Sequence, residues 1–228
     1  MIKVLVAALC CSLFLTVAPA YAAPATEIYF VRHGETVGNA THNHNHESDR
    51  TFSAKGGKQV AELSYKLDQL SFDHIIVSPK YRTLNTIFPY LKRHDLKAEV
   101  WPELEECCWQ YKTSRLSSFK LNRGNEIQIE SKMKPYFIFY DSDARRRYVA
   151  KNYGDGLLQT FKAIQLIRKR FEGSGKRILI VSHYHIGSRL IEVLQGIEPD
   201  GRYKLSNAKI SHLIEKDDGT FRLVSINQ

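Results

Sequence analysis

The side chains of this sequence best suited to chemistry lie far apart along the chain. Arg32 and His33 follow four apolar residues, Ile28-Tyr29-Phe30-Val31, and precede Gly34. A fixed cation beside an imidazole suits one task well: holding a phosphoryl group while a ring nitrogen attacks it. The same pair, taken alone, also suits the capping of a loop. Arg82 follows Ser78-Pro79, Glu106 closes the run Pro102-Glu103-Leu104-Glu105-Glu106, and His183 follows Ile178-Leu179-Ile180-Val181-Ser182. Each residue has a dull explanation in isolation, and their convergence depends on the fold.

The elements that must position them are readable from periodicity. Ile28–Val31, Asp73–Val77 and Arg177–Val181 read as strands of the kind buried on both faces of a mostly parallel sheet, and Lys97–Trp101 as a further short strand. In such sheets ligands sit beyond the carboxyl ends of the strands. Gly34 is expected to let the backbone turn close to whatever binds there. The segment Lys55–Leu70 carries Val60, Leu63, Leu67 and Leu70 at helical spacing, with Ser53 as cap. Ser78 and Pro79 are expected to cap and open a second helix, which carries Arg82 in its first turn and Leu84, Ile87, Phe88 and Leu91 on its core face. Pro89 is expected to end or kink it. Asp155–Phe171 reads as an amphipathic helix with Leu157, Leu158, Phe161, Ile164 and Ile167 inward, and Ile186–Leu194 as another helix. Ala208–Glu215 and Thr220–Ile226 read as strands around the turn Asp217-Asp218-Gly219. The alternation predicts an α/β fold: a three-layer open, mostly parallel sheet with helices on both faces. Four strand ends then present Arg32-His33, Arg82, Glu106 and His183 to one rim.

Two stretches lack clean periodicity. Gly38–Ser53 is polar and reads as a loop containing His42, His44 and His46. No carboxylate or cysteine at ligand spacing completes a metal site there, so no metal is expected. When protonated, these histidines would help hold a phosphorylated substrate. Residues 107–153 mix aromatics such as Trp109, Tyr111, Phe119, Tyr136 and Tyr140 with Lys112, Arg115, Lys120, Arg123 and the run Arg145-Arg146-Arg147. This is expected to be an excursion that covers the site and sets substrate choice, or else a packed outer layer with a solvated basic face. The basic run hints at a substrate with more than one negative charge.

Residues 1–22 have the pattern of a secretory signal: Lys3, an uncharged apolar run Val4–Val17, Pro19, then Ala20-Tyr21-Ala22. The run is shorter than the roughly 20 residues that span a bilayer. The expected mature domain, residues 23–228, falls within the range of a single domain and would work in a periplasm or outside the cell. No membrane association is expected after cleavage. Its two cysteines, Cys107 and Cys108, are adjacent, and neighbours rarely reach ordinary disulfide geometry without strain, so no disulfide scaffold is expected. The formal charge of +9 favours anionic partners. Zinc-finger spacing, aromatic RNA-binding signatures and basic heptads are absent, and no nucleic-acid partner is expected. Oligomeric state is not written in the sequence.

Five stretches together resemble the histidine phosphatase superfamily, with its phosphoglycerate mutase-like fold, in the RHG branch 1. They are Arg32-His33-Gly34-Glu35-Thr36 with Asn39; Phe52-Ser53-Ala54-Lys55-Gly56 with Gln59; Ser78-Pro79 with Arg82 and Thr86; Leu104-Glu105-Glu106; and Val181-Ser182-His183. The resemblance implies that His33 is a nucleophile that becomes phosphorylated. It also implies that Arg32, Arg82 and His183 line the phosphate pocket and that Glu106 donates a proton, with Glu105 one residue away as the alternative. Asn39, Gly34, Thr36 and Tyr184 are expected around the phosphate or substrate. The implied activity is a cofactor-free, metal-independent phosphomonoesterase acting on a small phosphorylated molecule. A mutase-type phosphotransferase and a silent phosphate-binding module remain alternatives. Tyr184-His185 stands where many relatives carry glycine, and Cys107-Cys108-Trp109 lacks a glycine often found after the acid. Both departures bear on the substrate more than on the chemistry.

Overall fold

The computed structural model describes residues 24–110 and 121–228. The signal expected at residues 1–22 lies outside them, as do Tyr111, Lys112, Arg115, Phe119 and Lys120. Strands β1 (Glu27–Arg32), β2 (His74–Val77), β3 (Ala98–Val100) and β7 (Arg177–Ser182) form where apolar runs were expected. Three more belong to the same sheet: β5 (Phe137–Phe139), β8 (Ile210–Glu215) and β9 (Phe221–Ser225). The seven strands lie in the order β5-β3-β2-β7-β1-β8-β9. The first five are parallel, and β8 then runs antiparallel to β1 and β9 antiparallel to β8.

Both faces of this sheet are buried, which is why its central strands read as unbroken apolar runs. Alternate residues serve opposite faces. Tyr29, Val31, Ile75, Val77, Leu179 and Val181 share one core with Leu63 and Leu67 of α2 (Ala54–Leu67) and Leu84, Ile87 and Leu91 of α3 (Tyr81–His94). Ile28, Phe30, Ile76, Ile178 and Ile180 share the other with Ile164 and Ile167 of α4 (Tyr153–Phe171) and Leu190, Ile191 and Leu194 of α5 (Tyr184–Leu194). No helix among the described residues is long and apolar enough to cross a membrane.

The structure corrects several expectations. The polar loop contains a short helix, α1 (Val37–Thr41), held by a capping box between Thr36 and Asn39. The first long helix ends at Leu67, and Leu70 lies beyond it, half-buried. Pro89 does not end α3, which continues to His94 with the proline on its exposed side. The inward face of α4 is rotated from the expected one: Phe161 is 41% exposed and Leu157 and Leu158 are half-buried, while Gln159, Thr160 and Ala163 join Ile164 and Ile167 inside. The expected excursion is not all cover. Its β5 pairs with β3 as an edge strand, and Ile127, Met133 and Phe137 are buried in the main core. Only β4 (Asn122–Glu126) and β6 (Arg146–Val149) stand apart, as a two-stranded antiparallel ribbon. Cys107 and Cys108 are buried free thiols.

Helix α2 presses closely on the loop after β1. A methyl group on Gly56 would lie 1.9 Å from the Glu35 carbonyl oxygen, whereas one on Gly57 would meet nothing within 4 Å. Gly56→Ala is therefore expected to lower stability by about 1–3 kcal/mol through overpacking. Gly57→Ala should raise it by about 0.5–1 kcal/mol, because it restricts the unfolded chain and favours the helix. Urea unfolding midpoints of the two variants check this, and equal shifts would refute the packing account.

Candidate active site

The parallel strands all end on one rim, and a cavity of about 720 Å³ opens there. Arg32 is the last residue of β1 and His33 follows it. His33 is buried, and its Nδ1 lies 2.8 Å from the Gly34 carbonyl oxygen, so Nδ1 carries the proton and donates. The lone pair is thereby assigned to Nε2, which accepts from Arg82 Nε at 3.1 Å. Burial and the neighbouring Arg82 and Arg32 guanidiniums hold the His33 pKa well below the ordinary imidazole range. His33 is therefore a neutral, oriented imidazole.

His183 follows β7 and is also fully buried, with its ring centroid 5.2 Å from that of His33. Its Nε2 lies 2.7 Å from Ser78 Oγ, and its Nδ1 has no partner. Burial, Arg82 and His33 depress its pKa well below the usual value. Ser78 was expected to cap α3. Lys80 stands at the cap instead, without a side-chain bond, and the Ser78 hydroxyl is given to His183. Thr86 ties this side together: its hydroxyl donates to the Arg82 carbonyl and accepts the Gly34 amide.

Glu106 lines the cavity with one oxygen anchored. Oε1 accepts from the amides of Cys107, His185 and Ile186 at 3.2–3.3 Å, so this carboxyl caps the first turn of α5. Oε2 remains for the cavity. Burial raises the Glu106 pKa, opposed by Arg82, the Ile186 amide and Arg32. Glu105, by contrast, is turned away between Lys80 Nζ, at 2.9 Å, and the Arg147 guanidinium. It is thus an ion-paired carboxylate, and the geometry separates the two candidates for proton donor.

The remaining expected residues divide. Asn39 and Tyr184 line the cavity, and the Arg32 guanidinium lies 5.0 Å over the Tyr184 ring. Thr36 does not line it: fully buried, its hydroxyl accepts the Asn39 amide as the α1 cap and so positions Asn39. Gly34 does not line it either. Its amide is used by Thr86, and its missing side chain makes room for Val60, whose Cγ2 would lie 2.6 Å from an added methyl. The glycine serves helix packing here, not ligand approach. His42 and His44 reach the cavity, whereas His46 lines a separate groove. Among the described residues no cluster of three or more His, Cys, Asp or Glu is placed to hold a metal.

Sequence reading missed Asn207, Asp49 and Lys80, all of which line the cavity. Asn207 Nδ2 donates to the His33 carbonyl and to Asn39 Oδ1, which fixes the Asn39 amide with its nitrogen free. No periodic signal marks this residue, because it sits in the loop before β8. Asp49 accepts from His44 Nδ1 and lies 3.8 Å from an Arg82 nitrogen.

Chemically, the cavity offers a neutral imidazole with an oriented lone pair, two guanidiniums and a carboxyl with one unanchored oxygen, while the second neutral imidazole, His183, is fully buried beside His33 and is not itself part of the cavity lining. The comparisons agree with that chemistry. A family model described as the histidine phosphatase superfamily (branch 1) matches residues 28–228. The chain is 26% identical over 198 residues to a protein of Salmonella choleraesuis (strain SC-B67) named "Probable phosphoglycerate mutase GpmB", covering 82% of this chain and 84% of the relative. Its fold is similar to the alpha-ribazole phosphatase of Shigella flexneri, with a TM-score of 0.63 and 20% identity over 89% of this chain and 96% of that one. It is also similar to Entamoeba histolytica phosphoserine phosphatase in complex with 3-phosphoglyceric acid, with a TM-score of 0.60 and 21% identity over 89% and 97%.

Arg82 is the nearest cation to His33, so Arg82→Met is expected to raise the His33 pKa back toward the ordinary imidazole range. A proton–carbon NMR titration of the histidine ring signals measures it. An unmoved His33 would mean that burial alone sets the value.

Proposed function

Because the chain belongs to the histidine phosphatase superfamily, branch 1, we propose that it is a phosphomonoesterase that passes a phosphoryl group from an ester to His33 and then to water. The observation that carries this reading is the pairing, in one cavity, of a neutral imidazole with a carboxyl whose pKa is pushed upward. The His33 Nε2 lone pair attacks phosphorus. The incoming phosphoryl oxygens take over the Arg82 N–H that Nε2 otherwise accepts. The P–O bond to the leaving group breaks, and the departing oxygen takes the Glu106 proton. Charge spread over the three equatorial oxygens is met by Arg32, Arg82, Asn39 and the His183 Nδ1–H. In the second half Glu106, now a carboxylate, accepts a proton from water as the water attacks the phosphohistidine. His33 leaves, and inorganic phosphate is released. Two guanidiniums supply the positive charge, and this reading invokes no metal or cofactor.

The substrate is a small phosphorylated molecule on this reading. The structural neighbour from Entamoeba histolytica holds such a compound, 3-phosphoglyceric acid. The apolar run and small-residue pattern of residues 1–22 support a periplasmic or secreted location. A mutase-type transfer is the second reading, favoured by the name of the 26% identical relative. It requires exclusion of water from the phosphohistidine, and the cavity is open enough for Trp109 on its wall to be 56% exposed.

Activity requires His33 unprotonated and Glu106 protonated. Lowering the pH protonates His33 only well below its usual range, and raising it deprotonates Glu106 above the usual carboxyl range. The kcat/KM profile for 4-nitrophenyl phosphate is thus expected to be a bell centred below neutral pH. Glu106→Gln should lower kcat about 10²–10³-fold for esters with poor leaving groups and abolish the alkaline limb. A flat profile in the parent enzyme would rule out this pairing. His33→Ala should release no phosphate while unfolding like the parent, and EDTA should leave the parent's rate unchanged. Stoichiometric release of phosphate from 4-nitrophenyl phosphate separates a hydrolase from a strict mutase, which would release almost none.

A further inference from the structure

Behind Glu106 lies a second cavity of about 350 Å³. Lys80, Glu106 and Trp109 line both cavities, so the proton donor stands on the partition between them. The second cavity also receives Glu105 and Arg147. Its charge is unbalanced. Lys80 and Arg147 share the single carboxylate of Glu105, and Glu106 is the protonated form before transfer on the proposed mechanism. The cations are not saturated by that pairing. Lys80 has three N–H donors and gives one to Glu105, while Arg147 has five and gives two. Their side chains are 31% and 38% exposed, enough for a ligand to reach them.

The leaving oxygen must come within about 3 Å of the Glu106 carboxyl to take its proton. Whatever is bonded to that oxygen therefore begins at the partition, facing Lys80 and Arg147. We propose that the second cavity is a subsite for the leaving group and that Lys80 and Arg147 bind a second anionic group carried by it, a carboxylate or a further phosphate. This inference rests on the phosphomonoesterase reading and narrows it to esters whose alcohol portion is itself an anion. Glu105 holds the two cations side by side. Arg147 belongs to β6, in the ribbon that stands apart from the sheet, so the ribbon contributes selectivity without touching the phosphoryl pocket.

Paired substrates test this directly: 4-carboxyphenyl phosphate and its uncharged near-isostere 4-carbamoylphenyl phosphate, assayed for phosphate release near pH 6. The kcat/KM ratio of charged to neutral ester is expected to be about tenfold or more in the parent, the scale of one charge-assisted hydrogen bond, and to arise in KM. In Arg147→Met and in Lys80→Met the ratio should fall toward one, and Arg147→Lys should retain part of it. Because the ratio is taken within each variant, a loss of folded protein cancels. A ratio near one in the parent, or an unchanged ratio in both Met variants, overturns the subsite while leaving the phosphatase reading intact. If neither ester releases phosphate, the phosphatase reading fails and the subsite fails with it.

Discussion

The hydrogen bond from His33 Nδ1 to the carbonyl of Gly34 is the contact on which the site depends. It decides which ring nitrogen has the lone pair, and it does so with the main chain, which is itself held. The Gly34 amide is bound by Thr86, whose hydroxyl donates to the carbonyl of Arg82. The His33 ring and the Arg82 residue are thereby fixed to one another through Gly34 and Thr86. Reversing the tautomer would place a proton on the nitrogen facing Arg82 and leave the carbonyl without its donor. Either half of that change leaves a buried polar group unpaired, at a cost of about 1–3 kcal/mol.

Around this contact the charges are arranged so that neighbouring groups titrate in opposite directions. His33 and His183 are buried among cations and stay neutral, while Glu106, half-buried on the cavity wall, is desolvated enough to keep its proton more tightly than an exposed carboxyl would. The three amides on Glu106 Oε1 prevent that burial from becoming an expulsion. They also fix the carboxyl plane, so that the unanchored oxygen has one place to be. The adjacent Glu105 shows the alternative fate of a buried carboxylate: it is turned away from the cavity, with two cations against it.

Much of this could be read from residue order, and the part that could not has definite causes. The central strands were plain because burial on both faces removes polar interruptions, and Arg32-His33-Gly34 after the first of them and His183 after the last marked where the rim would be. Arg32, His33, Arg82, Glu106 and His183 were therefore identifiable before any coordinates. Thr36 and Gly34 were misjudged because proximity in sequence to a reactive residue resembles proximity in function. One is a helix cap and the other a packing space. Asn207 left no trace, since a loop residue that bonds to distant main chain has no period to betray it. The face of α4 was misread because small and polar residues, Gly156, Gln159 and Thr160, line the side that meets the loop after β3, where Gly156 would place a methyl 2.7 Å from Cys108 Sγ. Close approach there outweighs the burial that Phe161 would have gained.

The strand order has a consequence for how the molecule comes into being. The first strand, β1, is hydrogen-bonded on one side to β7 and on the other to β8, with Glu27 opposite Arg177 and Ile214. His33, which follows β1, is thus made early and waits for nearly all of the chain before both flanking strands are in place. The loop carrying Asn207 waits longer still, because the Ser206 amide donates to Asn227 and Asn227 donates back to Lys204. Such long-range closure slows folding. It also means that the burial and the Arg82 guanidinium that set the character of the His33 ring arrive only with long-range closure of the sheet, whereas Arg32 is beside it from the start.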